Sequence, residues 1–253
     1  MKIVIAVAGH MPYWMPADAI YFPMQGGSLG KASIANWQRD DEGENISEKN
    51  FSFCELTRLY WLWKNMEADV YGIVHYRRHF ASNSLFIFSP QKRIVERKNI
   101  ERIIKQTDIV LPKKRRYWIE TSYTQYAHAH HEADLIATKT ILKEQYPSYL
   151  NAWDRVMNKK SGHRFNMFLM KKNKFFSYCD WLFGVLFELE KRLDISSYTI
   201  PQQRVFGYIA ERLLDVWIEA NEFSYHEMPV VHLESQHWIK KIIRFLSRKW
   251  KSI

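Results

Sequence analysis

The sequence is short of cysteine, of acid and of long apolar runs. Its two cysteines, Cys54 and Cys179, lie far apart inside apolar segments. That excludes a disulfide framework and a thiolate zinc site, and points to reduced thiols. No stretch approaches the roughly 20 apolar residues of a membrane span. The most apolar helical pattern, "CDWLFGVLFELEKRL", is interrupted by Asp180 and Glu188. The opening "MKIVIAVAGHMP" is too short for the apolar core of a secretion signal and suits a first buried strand. Asp and Glu number 27 against 37 Lys and Arg, a net charge of +10, with a pI near 9.4. Such a balance favours an anionic partner: a nucleotide, a nucleic acid or a membrane surface.

What is present suffices for a core. Of the 253 residues, 47% are hydrophobic and 15% aromatic, which excludes a disordered chain. Fourteen Tyr and ten Trp suit sugar, base or interface contacts as well as packing. "KIVIAVA" (2–8) is continuous and β-branched, as buried parallel strands are. Its C-terminal end carries Gly9 and His10, where open α/β sheets place ligands. A long Pro- and Gly-rich loop over 11–30 follows, then an acidic turn (40–47) and a helix predicted over 47–65. "DVYGIVHYRR" is a second strand, 92–106 a basic helix and "DIVLP" (108–112) a third strand. Helical patterns then run over 122–145, 174–193 and 204–221, with a fourth strand over 163–172. Strands alternating with helices predict an α/β fold with a mostly parallel sheet.

Four constellations carry chemistry. In "YGIVHYRRHF", strand alternation sets His75 and Arg77 on one face and Tyr76 and Arg78 on the other. Two guanidiniums beside a His form either a diphosphate clamp or internal ion pairs. In "YTQYAHAHHEADL", Tyr126, His130 and Asp134 fall four apart on one helical face. That His–Asp pair fits a base with its orienter, two metal ligands, or a solvated face with incidental histidines. Asn166 interrupts an apolar strand and needs a hydrogen-bond partner, either a backbone group or a ligand hydroxyl. Glu211, within an apolar helix, either pairs internally with an arginine or acts as a carboxylate base.

The tail "QHWIKKIIRFLSRKWKSI" (236–253) gathers Trp238, Ile239, Ile242, Phe245, Leu246, Trp250 and Ile253 on one helical face. Lys240, Lys241, Arg244, Arg248 and Lys251 gather on the other. This is the composition of an amphipathic helix lying in an anionic membrane surface, contacted here through residues 237–253. Docking on its own domain is the alternative, and nucleic-acid binding would leave the apolar face unexplained.

Taken in order, "YFPMQGGS", "DDEGENISEKNFSFCELTRLYWLWKN", "YGIVHYRRHF", "QYAHAHHEADL", "RFNMFLMKK" and "RVFGYIAERLLDVW" resemble a bacterial family. It comprises capsular-polysaccharide, exopolysaccharide and lipopolysaccharide glycosyltransferases long known as a domain of unknown function. The resemblance covers about residues 2–232 and leaves 233–253 as a separate basic tail. It implies a GT-A-like nucleotide-binding domain that uses a UDP-sugar, with galactose, galactofuranose or glucose as donor sugar, and a lipid-linked glycan as acceptor. The enzyme would work in the cytoplasm, peripheral on the inner face of the membrane, without nucleic acid.

Carried onto this chain, the resemblance implies that Ala8, Gly9, His10, Tyr21, Gln25, Gly26 and Gly27 form part of the nucleotide pocket. Asn45, Ser47, Asn50, Glu55, Thr57, Tyr60 and Lys64 would line the donor side. GT-A enzymes mostly end the equivalent of the second strand with Asp-x-Asp and a divalent metal. Here His75-Tyr76-Arg77 stand there instead, so cations of the protein take over the leaving diphosphate, no cofactor is expected and a metal becomes dispensable. Leaving-group stabilisation is expected from His75, Arg77 and Arg78, with Tyr76 beside them. His130 and Asp134 match a Y-x3-H-x3-D pattern of the family and are the first expectation for the base, before Glu211 and then Asp180. Asn166 and Asp180 are expected on the acceptor side. A non-catalytic membrane-associated or nucleic-acid-binding basic protein is the rival reading.

Overall fold

The structure, a computed structural model, describes residues 1–82 and 89–234. The expected membrane tail over 237–253 lies outside the described residues. In chain order, β1 (Ile3–Gly9), β2 (Tyr21–Gln25) and β3 (Gln38–Arg39) precede α1 (Asn50–Phe53) and α2 (Leu56–Asn65). Next come β4 (Val70–His75), β5 (Arg78–Phe80), α3 (Arg97–Ile104), β6 (Ile109–Pro112) and β7 (Arg115–Arg116). They are followed by α4 (Ser122–Ala129), α5 (Glu132–Gln145), α6 (Leu150–Asn158), β8 (Ser161–Gly162) and β9 (Phe168–Lys171). The series closes with α7 (Lys172–Arg192), α8 (Val205–Ala220), β10 (His226–Met228) and β11 (Val230–His232).

The main sheet has the order β10-β6-β9-β4-β1-β2-β3, with β5 and β11 added beside β4. β9 runs against β4 and β6, whereas β1 is parallel to both β2 and β4. The expected α/β architecture, a mostly parallel sheet flanked by helices, is the one observed. All seven residues of β1 are buried, because helices cover both faces of the sheet. Alternation divides them. Ile3, Ile5 and Val7 join Val70, Val74 and Leu169 against Ile100 and Ile104 of α3. Val4 and Ala6 join Tyr71, Ile73, Phe168 and Met170 under α2, α7 and α8, where Tyr71 stacks on Phe175 at 4.2 Å. Strand order reverses between β1 and β4, since β2 continues on one side of β1 and β4 on the other. Open α/β sheets hold ligands outside the carboxyl ends of the strands at such a reversal.

Among the expected elements that differ, three do so for a reason local to the backbone. Residues 11–30 contain β2, concealed in the sequence by Pro23 and the glycines that follow it. The single helix expected over 47–65 is broken at Cys54, whose φ of 55° no helix accommodates. The strand expected over 163–172 shortens to β9, because Phe165 and Asn166 have φ of 78° and 49°.

Candidate active site

The cluster of residues 75–78 is a turn and not a continuing strand. β4 ends at His75, the chain reverses through Tyr76 and Arg77, and Arg78 opens β5 directly opposite His75. The Tyr76 N–H donates to Ala8 O at 3.1 Å, and the Leu233 N–H donates to Arg77 O at 3.0 Å. Alternation would have split the four side chains between two faces; the turn instead brings them all to one cleft of ≈ 550 Å³, with Ala8 and His10. The Tyr76 ring meets His10 edge-on at 5.4 Å and carries the Arg77 guanidinium at 4.7 Å. Arg78 lies over Phe165 at 4.6 Å.

The break at Cys54 builds the facing wall, presenting Asn50, Cys54, Glu55 and Arg58 to the cleft, while α8 and the turn before it add Arg204, Tyr208 and Glu211. Arg58 is buried beneath Gly26, and a Cβ on that glycine would stand 1.1 Å from its Nη1. Its Nε and Nη1 have no hydrogen-bond partner in the protein. The nearest carboxylate, Asp40, is 3.8 Å away. Burial holds the Arg58 pKa below its ordinary value despite Asp40 and Glu55. A buried cation with open donors is costly until an anion completes it.

Asp40 does not provide that completion, because it is already satisfied. It accepts from the Gly27 and Ser28 N–H groups at 2.9 and 3.0 Å, and from the Ser28, Ser47 and Thr57 hydroxyls, each at 2.6 Å. Burial alone would raise its pKa; the hydroxyls outweigh it and hold the carboxyl below the usual range.

Two further carboxylates face the cleft. Glu55 Oε1 accepts from Asn166 Nδ2 at 2.7 Å and lies 4.0 Å from His75 Nε2. His75 Nε2 donates to Phe165 O at 2.6 Å, which fixes the ring proton on that nitrogen. Burial lowers the His75 pKa, with Glu55 opposing, so the ring is neutral near pH 7. Glu211 Oε1 accepts the Phe165 N–H at 2.9 Å; its Oε2 lies 3.6 Å from Arg164 and 3.7 Å from Arg212. The left-handed pair Phe165–Asn166 therefore ties β4, α8 and both carboxylates together. Arg204 Nε donates to Cys54 Sγ at 3.0 Å. The cleft combines four guanidiniums, from Arg58, Arg77, Arg78 and Arg204, with two carboxylates: an anion seat next to an acid–base group.

Of the residues singled out in the sequence, Ala8, His10, Asn50, Glu55, His75, Tyr76, Arg77, Arg78 and Glu211 line this cleft. Others frame it. Gly9 makes room for the Trp37 ring, which would be 2.4 Å from a Cβ, and Gly26 makes room for Arg58. Gln25 holds its loop through Ala32 O and the Ile34 N–H, Gly27, Ser47 and Thr57 serve Asp40, and Asn166 orients Glu55.

The rest lie elsewhere. Tyr21 faces the opposite layer, where its hydroxyl donates to Val95 O at 2.6 Å. Asn45 bonds only locally, to Gly43 O and the Ser47 N–H. Tyr60 and Lys64 both contact Glu44, and Asp180 is exposed on α7. The expected pair His130–Asp134 is not on one helix face, because α4 ends at Ala129 and α5 begins at Glu132. Asp134 is buried and accepts the Tyr126 and Tyr198 hydroxyls at 2.6 and 2.7 Å, and burial raises its pKa. His130 stacks on Tyr208 at 4.1 Å, and burial pushes its pKa down to about 4. Neither lines the cleft. Sequence reasoning missed Arg58 and Arg204; a lone cation on the apolar face of "CELTRLYW" was the available signal for the first.

A family model described as a domain of unknown function, DUF4422, matches residues 3–222. Among solved structures, the chain is similar to the apo structure of the bifunctional glycosyltransferase WbbM, with 30% sequence identity and a TM-score of 0.87. The match covers 93% of this chain and 46% of that one, so the chain spans under half of WbbM. No curated protein matches the chain.

Proposed function

The chain belongs to the DUF4422 family, and from that premise and the cleft we propose that it is a glycosyltransferase of surface-polysaccharide synthesis. In this reading it moves a hexose from a UDP-sugar to a lipid-linked glycan. The observation that carries the proposal is Arg58, a buried guanidinium with two open nitrogens, in a cleft at the strand-order reversal. Arg58, Arg77, Arg78 and Arg204 neutralise the diphosphate, and the His10–Tyr76 pair flanks it. Glu211, on the α8 wall, is the base in place of His130–Asp134. It takes the acceptor hydroxyl's proton as the oxygen bonds to the anomeric carbon, while the bond to the diphosphate breaks and UDP leaves with the electron pair. Asn166 holds Glu55 beside the sugar.

The donor set does not suit the divalent metal that a GT-A-like fold implies. Glu55 and Glu211 are each engaged by protein N–H groups among four guanidiniums, and among the described residues no group of three or more His, Cys, Asp or Glu is arranged to hold a metal ion. The mechanism therefore routes no step through a metal. No helix among the described residues is long and apolar enough to cross a membrane. The tail over 237–253 is proposed as a peripheral contact with the inner face of the cytoplasmic membrane.

The test screens UDP-galactose, UDP-galactofuranose and UDP-glucose for binding and hydrolysis, with and without EDTA. Glu211→Gln is expected to keep UDP binding while turnover falls roughly 10²–10⁴-fold. A chain that binds no UDP, or a Glu211→Gln variant with near-normal turnover, refutes the assignment.

A further inference from the structure

β6 is parallel to β4 through β9, so the segment after Pro112 leaves the sheet at the same edge as His75. It reads "KKRRYWIE": Lys113, Lys114, Arg115 and Arg116, then Tyr117, Trp118 and Ile119. Trp118 is 80% exposed and Ile119 73%, among the most exposed large apolar side chains described. Trp118 has φ of 63°, a conformation bulky residues avoid, and it stands next to Ile119 rather than folding under the loop. Lys113, Arg115 and Arg116 are exposed and without ion pairs among the described residues, as is Lys160 on the neighbouring strand connection.

Nearby acids already have partners. Glu120 is hydrogen-bonded to His128 at 2.7 Å, Glu219 forms ion pairs with Arg155 and Lys159, and Asp215 and Glu227 are both hydrogen-bonded to His163. Lys114 is engaged by the Tyr225 hydroxyl at 2.5 Å. What remains outward is an apolar tip within a cationic collar. The loop is also fixed to the cleft: Tyr117 lies under Arg164 at 4.8 Å, and Arg164 reaches Glu211 at 3.6 Å.

We infer that the 113–119 loop docks on an anionic lipid bilayer, with Trp118 and Ile119 at headgroup depth and Lys113, Arg115, Arg116 and Lys160 on lipid phosphates. Charge complementarity selects this occupant. A Trp beside an aliphatic residue suits the headgroup boundary, and uncompensated basic residues suit an anionic leaflet. The contact is separate from the 237–253 tail. The described chain reaches Glu234, which pairs with Arg77 at 2.9 Å. Docking through the loop, which is tied to Glu211 by way of Tyr117 and Arg164, would set the Glu211 side of the cleft against the surface that carries a lipid-linked acceptor. That consequence rests on the proposed activity; the docking itself does not, because it is measured without donor or acceptor.

The test sediments the full chain with vesicles of phosphatidylcholine, alone or mixed with phosphatidylglycerol, and measures UDP affinity in parallel. Arg115→Glu with Arg116→Glu is expected to lower partition onto the anionic vesicles at least about tenfold, from roughly fivefold per basic residue, with UDP affinity unchanged. Trp118→Phe, which keeps the loop's bulk, is expected to reduce quenching of protein fluorescence by brominated lipid. Unchanged partition and unchanged quenching overturn the inference. So does a loss confined to binding of free glycan, which would make the loop a sugar platform.

Discussion

Arg58 gives the sharpest test, because its effects on stability and on binding should have opposite signs. In the unliganded protein its guanidinium is buried, two of its nitrogens lack partners and its nearest carboxylate is 3.8 Å away. Replacing it with methionine removes that desolvation cost while keeping a flexible stem of similar length. Asp40 loses only a distant neighbour and retains its five donors. The melting temperature of Arg58→Met is therefore expected to hold or rise, as when buried ions are replaced by apolar side chains. Binding should move the other way. Hydrogen bonds to a charged group contribute about 1.5–3 kcal/mol each, so losing two at the low end costs about 3 kcal/mol, roughly a hundredfold in affinity. Calorimetric titration with UDP, alongside thermal denaturation, reads both quantities. A variant that melts several degrees lower and binds UDP normally would show that Arg58 is structural, and the anion reading of the cleft would fail with it.

Gly26→Ala places a methyl where the Arg58 guanidinium lies, so UDP affinity should fall at least about tenfold although residue 26 does not line the cleft. Titration checks this, and normal affinity would show that Arg58 has another resting place. The buried His79, whose pKa burial lowers to about 4, sets an acid limit on stability. The unfolded ring titrates near 6.5 and the folded one near 4, so the unfolded state gains the proton first. The His79 contribution is flat above about pH 6.5 and falls by about 3 kcal/mol as pH drops from about 6.5 to about 4, alongside a loss from His130, whose folded pKa is also about 4. The decline in melting temperature across that range should be less steep in His79→Gln; an equally steep decline would assign the whole loss to other groups.

The framework was legible because its signals are local. β1, β4, α7 and α8 are continuous apolar or periodic segments, and burial on the sheet or under helices leaves such segments little alternative. The site was less legible because it is made where those signals stop. Cys54, Phe165 and Asn166 adopt left-handed backbone without being glycine. For Cys54 and Phe165 nothing in the residue type announces it, and only Asn166 is of a type that favours it; the surrounding packing imposes it. These positions present Glu55 and Arg58 to the cleft and hold both carboxylates from behind. β2 was hidden for a related reason: Pro23, Gly26 and Gly27 read as a loop, yet Gly26 is needed for the approach of Arg58 from a helix distant in sequence.

The residues at 75–78 show how a correct residue set can be reached through the wrong geometry. Extended alternation would direct at most two of the four side chains at any one ligand. The reversal at Tyr76–Arg77 is what lets all four share a rim, and it is pinned by the Tyr76 N–H on Ala8 and the Leu233 N–H on Arg77. The same reversal removes the position at which a strand-end carboxylate pair could face the sheet's edge, because His75 is bound to Phe165 and Arg78 already belongs to the next strand. Substituting acids for His75 and Arg77 would leave that hairpin and its guanidinium neighbours in place. Under the proposed metal-free chemistry, a metal site would have to displace Arg58 and Arg204 as well, because the guanidiniums stand on both walls of the cleft and not on the turn alone.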